Sequence, residues 1–390
     1  MHYLDHAATT PLRAEAREAW LAAAEVVGNA SSTHGAGQDA RRVLEESRER
    51  IAAVLQADPI EVVLTSGGTE AINLALQGLW RRRADGTRAI VLPDAEHHAT
   101  MDTAQALVDD GAELREVGVD AQARIPVEAF AAALPGAALA TALVANNEVG
   151  TLNDPLGLSA AAAAAGVPLH LDAVAALGHV PMSFRGWRGD APDGAGLVAL
   201  SVAGHKIGAP VGVGALIVAR TARMSGLLRG GAQQRGLRAG TQDVPGAASF
   251  ARALELAEAE RASESRRLHA LRDRLVDGIR TRVPQAELLG DPEERLPGNA
   301  HFLFPGAVGE SLLFLLDVAG IASSTGSACQ AGVAEPSHVV RAMGRSEADA
   351  RSVLRFSLGR TSIQGDVDAV VEVIADVYAR ASGARTAPRS

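Results

Sequence analysis

The chain has little of several features that mark particular protein classes. It contains one cysteine in 390 residues, so an internal disulfide is excluded and the fold needs no oxidising compartment. Its net charge is −9 at pH 7, which argues against the basic face of a nucleic-acid or membrane-surface binder. Residues 1–20 lack the basic start and apolar core of a signal peptide, and the alanine run at 160–165 soon meets glycine, proline and charge. We therefore expect a cytoplasmic protein without a nucleic-acid or membrane partner.

What the chain does contain, between residues 60 and 220, is an alternation of short apolar runs with helical stretches. Directly after one such run, for example, Ile72, Leu76 and Leu79 recur at helical spacing. This alternation predicts an α/β fold with a mainly parallel sheet flanked by helices. The runs predicted as strands are 61–66, 88–93, 138–145, 167–172, 196–204 and 213–219.

The pattern changes beyond about residue 245, where a long charged helical stretch begins. Shorter strand signals follow at 300–306 and 351–359. A length of 390 residues also suits two domains. We therefore predict a large domain over residues 14–255 and a small α+β domain formed by residues 1–13 and 256–390.

Polar residues stand at the ends of successive predicted strands. In a parallel sheet the carboxyl ends of the strands meet at one edge, and ligands bind in the crevice there. We therefore expect these groups to converge on one site. They are residues 66–69, 96–98 and 146–148, Asp172, His205 and Lys206.

Three of these motifs admit both a chemical and a structural interpretation. TSGGTE at 65–70 places Gly68 and Thr69 at a helix start, which favours either a phosphate cradle or a simple helix cap by Thr69. Lys206 follows an apolar strand, as either a Schiff-base nucleophile or a snorkelling surface lysine. Asp172 ends a strand, where it can pair with a cationic ring nitrogen or serve as a helix N-cap for the residues after it.

Three further side chains carry the same ambiguity. His97 is suited to stack on a flat cofactor, because aromatic residues are scarce, or is a polar loop histidine. Arg355, in an alternating strand, grips a carboxylate or forms a structural salt bridge. Cys329 lies among small residues rather than the large apolar ones around most structural cysteines, which favours a reactive thiol over a free surface cysteine.

A series of short segments gives the chain a family resemblance over nearly its whole length. In this order the segments resemble the cysteine desulfurases of the iron–sulfur-cluster and nitrogen-fixation type. These are class V aminotransferases with the fold-type I architecture and a pyridoxal 5′-phosphate (PLP) cofactor. The segments are YLDHAATTP (3–11), GNASSTH (28–34), TSGGTEAINLA (65–75), EHHA (96–99), NNEVGT (146–151), HLDA (170–173), GHK (204–206), RAGT (238–241), SSTGSAC (323–329), EPSHVVRAMG (335–344) and RFSLGR (355–360).

The resemblance implies a large PLP domain, a small domain and a set of cofactor contacts. Lys206 would carry PLP as a Schiff base, Asp172 would pair with the pyridinium nitrogen, and His97 would stack on the ring and shuttle protons. The resemblance places Gly68, Thr69, His205 and Asn147 among the cofactor contacts, the first three at the phosphate. It also implies that Thr241 reaches the phosphate of the other subunit of a homodimer, and it implies no metal site.

For the reaction, the resemblance implies that Asn147 and Arg355 bind the carboxylate of L-cysteine. Cys329 then takes the sulfur as a persulfide and L-alanine leaves. The loop at about 323–333, in which Gly326 and Gly332 flank Cys329, would be mobile. It would pass the sulfur to an acceptor protein for iron–sulfur cluster assembly or thiolation. The alternatives are a selenocysteine lyase or another class V enzyme and, more remotely, a non-catalytic sulfur-relay subunit.

Two positions depart from the pattern of the family. Ala175 stands where a glutamine usually bonds the phenolate oxygen of PLP, and Ala203 stands where many relatives carry a serine at the phosphate. A hydrogen bond to a charged group is worth about 1.5–3 kcal/mol. We therefore expect these losses to weaken cofactor binding without abolishing it.

Overall fold

The computed structural model describes residues 1–326, 329–330 and 333–383. The strands are β1 (His2–Tyr3), β2 (Val62–Thr65), β3 (Ala89–Pro93), β4 (Glu113–Val117), β5 (Ala137–Leu143), β6 (Pro168–Asp172), β7 (Gly196–Ala203), β8 (Gly214–Val218), β9 (Glu287–Leu289), β10 (Asn299–Leu303), β11 (Ile321–Ala322), β12 (Cys329–Gln330), β13 (Val333–Ala334) and β14 (Val353–Ser357). The helices are α1 (Ala14–Ala24), α2 (Gly35–Leu55), α3 (Gly68–Trp80), α4 (His98–Asp109), α5 (Val127–Ala133), α6 (Pro155–Ala164), α7 (Phe184–Arg188), α8 (Val244–Arg282), α9 (Gly309–Val318), α10 (His338–Ala342), α11 (Glu347–Ala350) and α12 (Gln364–Gly383).

The large sheet has seven strands in the order β2-β8-β7-β6-β5-β3-β4. β8 runs antiparallel to β2 and to β7, and the other neighbours are parallel. The central strands β5, β7 and β8 are buried along their whole length, because helices cover the sheet on both faces. The predicted α/β fold with a mainly parallel sheet is confirmed.

One strand of this sheet is absent from the sequence prediction. β4 pairs only with β3 at the sheet edge, and three of its five residues carry charge. An edge strand needs no continuous apolar run, since charged side chains protect its open side from pairing with another chain. The apolar-run signal that reveals the other six strands therefore misses this one.

A second, smaller sheet is antiparallel, in the order β14-β10-β9. The N-terminal strand β1 pairs in parallel with β11, and a bridge joins Asp5 to Ser357 at the end of β14. Residues of the N-terminus thus lie beside β14 rather than in the large sheet. The backbone of β12, which includes Cys329, pairs with β13 in a short hairpin.

The 39-residue helix α8 connects the two apolar cores. Its first half, including Phe250 and Leu254, packs in the core under the large sheet. Its second half, including Leu275 and Ile279, packs with the small sheet and α12. We propose that the domain boundary lies within this helix, where the sequence prediction at 255 and 256 also placed it. Within the described part of the chain, no helix is long and apolar enough to cross a membrane.

The second half of α8 is expected to stabilise the small core mainly through its apolar face. Replacing the fully buried Ile279 with alanine should lower the free energy of unfolding by about 2–5 kcal/mol, because it removes apolar contacts and leaves a cavity. Urea unfolding followed by circular dichroism measures the change. The matched control is Arg280→Ala at the exposed next position, expected to change stability by less than about 0.5 kcal/mol. Equal losses from the two variants would contradict this assignment.

Candidate active site

A cleft of about 410 Å³ lies beyond the carboxyl ends of the central strands. The N-terminal segment and β14 close its other side. The convergence expected from the strand ends therefore occurs. Among the residues that line the cleft are Gly68, Thr69, His97, Asn147, Asp172, His205, Lys206 and Arg355.

The turn between β2 and α3 is shaped by two glycines. Gly67 has φ +148° and caps α3, so Thr69 lies inside the helix and the interpretation of Thr69 as its cap is wrong. A Cβ on Gly68 would stand 2.7 Å from Val174 Cγ2, which leaves no room for a side chain. The first amide groups of α3 have no partner within the helix. Together with Thr69 at the cleft, they offer hydrogen-bond donors to an anion.

Lys206 ends a short 3₁₀ turn, Gly204–Lys206, that follows β7. Its Nζ donates hydrogen bonds to the main-chain oxygens of Ala7 and Ala8, the latter at 3.0 Å. Burial, and then the charge of Arg355, lower the pKa of this ammonium group to about 8. Lys206 is also the only lysine of the chain. It is therefore an inward-facing amine rather than a snorkelling surface residue.

Two buried carboxyl groups, Asp172 and Glu96, lie close enough for the charge of Asp172 to raise the pKa of Glu96. Asp172 Oδ1 accepts a hydrogen bond from Val174 N at 2.9 Å, but the residues after it form turns, so its interpretation as a helix N-cap is wrong. Burial raises the pKa of Asp172 to about 6, although that bond and the charge of Lys206 lower it. Burial and then the charge of Asp172 raise the pKa of Glu96, which accepts a bond from Leu143 N, to about 8. Of these two carboxyl groups, Asp172 therefore has the lower pKa and is the one that ionises first as the pH rises.

His97 precedes α4 and caps it, with Nδ1 accepting a hydrogen bond from Ala99 N at 3.0 Å. In the neutral ring the proton must then be on Nε2. Burial, and then the charge of Lys206, lower the pKa of His97 to about 4. The same two causes lower the pKa of His205 to about 4, and its Nδ1 lies 3.3 Å from Thr9 Oγ1. Both rings are neutral at pH 7.

Arg355 on β14 is almost fully buried at the far side of the cleft. Nη1 donates to Asn147 O at 2.8 Å, and Nη2 donates to Asp5 Oδ1 at 3.0 Å. The salt bridge weighed in the sequence interpretation therefore exists. Two buried atoms at this point, Arg355 Nε and Asn147 Oδ1, have no hydrogen-bond partner among the described residues. They leave unused polar capacity beside the cleft.

Sequence interpretation assigned no role to several residues that surround these groups, although it placed Glu148 among the strand-end residues. Glu148 and His338 line the cleft, and Glu148 Oε2 accepts a hydrogen bond from Ser337 Oγ at 2.5 Å. His338 Nε2 lies 2.8 Å from the main-chain oxygen of Glu96, which requires the proton on that nitrogen. The motif EPSHVV contains both Ser337 and His338, but a polar pair at a helix start is also typical of ordinary capping.

The segment before the cysteine is hydrogen-bonded to β14 at Ser324. Ser324 and Arg355 exchange main-chain hydrogen bonds of 2.6 and 3.1 Å. Gly326 lines the cleft with φ +87°, and a Cβ there would stand 2.9 Å from His301 Cε1. Glycine is therefore required at residue 326 by both conformation and space.

For four other positions named in the sequence interpretation, the described residues show no polar side-chain group in the cleft. Thr241 is exposed and does not line the cleft of this single chain. Ala175 lines the cleft but offers no side-chain donor, and Ala203 is buried beneath Gly68. The side chain of Cys329 and part of the predicted mobile loop, residues 327–328 and 331–332, lie outside the described residues.

The chain matches the protein family described as aminotransferase class-V over residues 2–370. It belongs to this family. The family resemblance seen in the sequence motifs is therefore confirmed. The match spans both the large sheet and the small one.

Class V relatives of known description are similar along the whole chain. An IscS-like cysteine desulfurase of Mycobacterium tuberculosis is 46% identical over 99% of this chain and 98% of that protein. A cysteine desulfurase of Gluconacetobacter diazotrophicus is 41% identical over 97% and 93%. Among solved structures, a NifS-like protein has a TM-score of 0.88 at 30% identity, covering 97% of this chain and 99% of that one. SspA in complex with cysteine has a TM-score of 0.79 at 27% identity, covering 93% and 100%.

The unusual environment of Lys206 predicts an amine that loses its proton near pH 8 in the cofactor-free protein. Because Lys206 is the only lysine, reductive ¹³C-methylation labels only this amine and the N-terminal one. Its NMR signal should titrate at least one pH unit below that of an ordinary lysine, whose pKa is about 10.4. The same protein unfolded in urea is the control and should titrate normally. A folded-state midpoint at or above pH 10 would contradict the burial of this amine.

Proposed function

We propose that the chain is a PLP-dependent cysteine desulfurase, which converts L-cysteine to L-alanine and a persulfide on Cys329. The observation that supports this most is the content of one cleft. Lys206, Asp172, His97 and Arg355 surround it, and Gly326, three residues before the only cysteine, lines the same cavity. The whole-length similarity to proteins named cysteine desulfurases supports the same conclusion.

The residues of the cleft fit PLP. A buried carboxylate without a cationic partner in bonding contact, Asp172, suits a protonated ring nitrogen. The glycine turn before α3 suits a phosphate, with Thr69 and His205 at its side. Lys206 supplies the amine that reacts with the aldehyde, and its lowered pKa increases the share of the reactive neutral form at pH 7.

Bound PLP supplies an electron sink for bonds at the α- and β-carbons of the substrate. The chain determines how that sink is used. The charge of Asp172 helps to raise the pKa of the neighbouring Glu96, so of these two carboxyl groups Asp172 is the one that ionises first. His97 presents a neutral ring, with its proton on Nε2 and Nδ1 occupied by Ala99 N. Proton exchange with the cleft therefore runs through Nε2.

Recognition of the amino-acid carboxylate falls to Arg355 and Asn147. The guanidinium group is buried, so its interaction with a carboxylate is weakly screened by solvent. Its two terminal nitrogens carry two N–H groups each, and the hydrogen bonds to Asn147 and Asp5 use one on each nitrogen, which leaves donors for a planar anion. The side-chain amide of Asn147 lies at the same end of the cleft and adds a neutral donor.

Sulfur transfer requires a soft nucleophile, and a thiolate is the suitable one in this chain. The thiolate of Cys329 attacks the sulfur of bound cysteine and forms an S–S bond. The C–S bond breaks, its electron pair goes to the β-carbon, and protonation there gives alanine. The persulfide retains the sulfur for an acceptor protein, either in iron–sulfur cluster assembly or in thiolation.

The proposed enzyme is a homodimer located in the cytoplasm. Thr241 is exposed in the single chain, as a residue that contacts a second subunit has to be. In that arrangement Thr241 contacts the phosphate in the partner's cleft. Gel filtration of the full chain tests for the dimer. Cofactor retention in Thr241→Ala tests the contact of Thr241 with the phosphate.

The central experiment separates cofactor binding from sulfur transfer. The protein incubated with PLP should show a visible absorption band, and with L-cysteine and a reductant it should form alanine and sulfide. Cys329→Ser should keep the band and lose at least about 100-fold in sulfide formation, because the hydroxyl is a far weaker nucleophile. Lys206→Arg is the control, expected to lose the band. Unchanged alanine formation in Cys329→Ser would refute the persulfide route.

Ala175 is expected to influence the bound cofactor through a missing donor. Introducing glutamine at this cleft position adds an amide donor towards the ring oxygen, which favours the deprotonated, charged form. The pH at which the visible band titrates should therefore be lower in Ala175→Gln than in the wild-type protein. A spectrophotometric titration of both proteins measures this difference. An equal or higher midpoint in the variant would refute the explanation.

A further inference from the structure

The guanidinium group proposed to bind the substrate carboxylate already has an internal anion. Asp5 Oδ1 accepts a hydrogen bond from Arg355 Nη2 at 3.0 Å. The side chain of Arg355 is 6% exposed and that of Asp5 is 20% exposed, so the pair is largely shielded from water. Such a pair is much stronger than one at the surface, because solvent screens it little.

Asp5 is held in place by the backbone on either side of it. Ser357 N donates to Leu4 O at 2.7 Å, and His6 N donates to Ser357 O at 3.2 Å. The amide of Ala7 donates to Ser357 Oγ at 2.8 Å. The N-terminal segment therefore runs beside β14, and the register sets the carboxylate of Asp5 against Arg355, two residues before Ser357.

The same segment also contacts the other cation of the cleft. The main-chain oxygens of Ala7 and Ala8 accept hydrogen bonds from Lys206 Nζ. Asp5 raises the pKa of Lys206 and Arg355 lowers it, so the three charges act on one another. The carboxylate of Asp5 thus acts on both cations of the cleft.

An amino-acid substrate brings a second carboxylate to this arrangement. Arg355 uses one N–H of Nη1 for Asn147 O and one N–H of Nη2 for Asp5. A bidentate contact needs two neighbouring donors of the guanidinium group. The incoming carboxylate therefore meets a guanidinium group whose charge Asp5 already balances, and it competes with Asp5 for the donors around Nη2.

We propose that Asp5 is a positioning residue that occupies the carboxylate-binding face of Arg355 in the free protein and is replaced there by the carboxylate of the ligand. The inference extends the proposed function, on which it rests for the choice of an amino acid as the ligand. Asp5 keeps Arg355 oriented and neutralised while the cleft is empty. Binding then exchanges one anion for another and leaves no buried charge unpaired.

The exchange makes a distinct prediction about affinity. Asp5→Asn keeps the shape and a hydrogen-bond acceptor but removes the competing charge, so Arg355 is left with an unbalanced charge. The variant should bind L-alanine, the product of the proposed reaction, about 10-fold more tightly than the wild-type protein, roughly the effect of one charge-assisted hydrogen bond. L-Alaninamide, which lacks the carboxylate, should bind both proteins equally.

Isothermal titration calorimetry of the PLP-loaded full chain with each ligand provides the test. Asp5→Glu, which keeps the charge, should bind L-alanine no more tightly than the wild-type protein. Asp366→Asn is the matched control, since Asp366 holds the N-terminus through His2 Nδ1 at 2.8 Å without lining the cleft. It should leave both affinities unchanged. Circular dichroism establishes that each variant is folded.

Several outcomes would overturn the proposal. These are an unchanged or weaker affinity of Asp5→Asn for L-alanine, an equal gain for L-alaninamide, an equal gain in Asp366→Asn, or no measurable binding of L-alanine to any of the proteins. If Asp5→Asn does not fold, tighter binding by Asp5→Glu would overturn it. Calorimetry involves no sulfur chemistry. A chain that shows the expected affinities but forms no sulfide would refute the proposed function and leave this inference intact.

Discussion

The site depends on one constraint: charged side chains are buried away from water at one edge of the large sheet. Lys206, Asp172 and Arg355 are all largely buried there, and each alone would be costly. The cost is reduced by neighbours that balance or neutralise them. Asp5 pairs with Arg355, main-chain oxygens accept hydrogen bonds from Lys206 Nζ, and the pKa of Glu96 is raised beside the charge of Asp172. The same burial lowers the pKa of Lys206, which favours its reactive neutral form.

Backbone geometry, rather than side-chain packing, delivers these groups to one place. Asp172 is the last residue of β6, and Lys206 ends the turn after β7, its neighbour in the sheet. Arg355 comes from the other sheet and faces the same cleft. The long helix α8 packs in both apolar cores and so links the two sheets.

Much of this arrangement could be predicted from the sequence because it follows from local patterns. Short apolar runs revealed six strands of the large sheet, and the rule on strand ends brought His97, Asn147, Asp172 and Lys206 to one cleft. The edge strand β4 escaped because its residues are mostly charged. The contacts of Asp5 and Glu148 escaped for another reason. Their partners, Arg355 and Ser337, lie far away in the chain, and no spacing of residues indicates such a contact.

The composition carries a chemical meaning that the local patterns do not show. Of the 37 lysine and arginine residues, all except Lys206 are arginines. The chain therefore has one lysine amine and one thiol. A guanidinium group stays protonated and does not act as a nucleophile at pH 7, whereas an amine reacts with aldehydes and a thiolate with sulfur. The chain thus obtains its positive charge from arginine and confines side-chain nucleophilic reactivity of these two kinds to Lys206 and Cys329. An aldehyde cofactor that enters the cleft therefore has one lysine with which to react. The ammonium group of that lysine donates hydrogen bonds to the N-terminal segment, and its pKa is lowered to about 8.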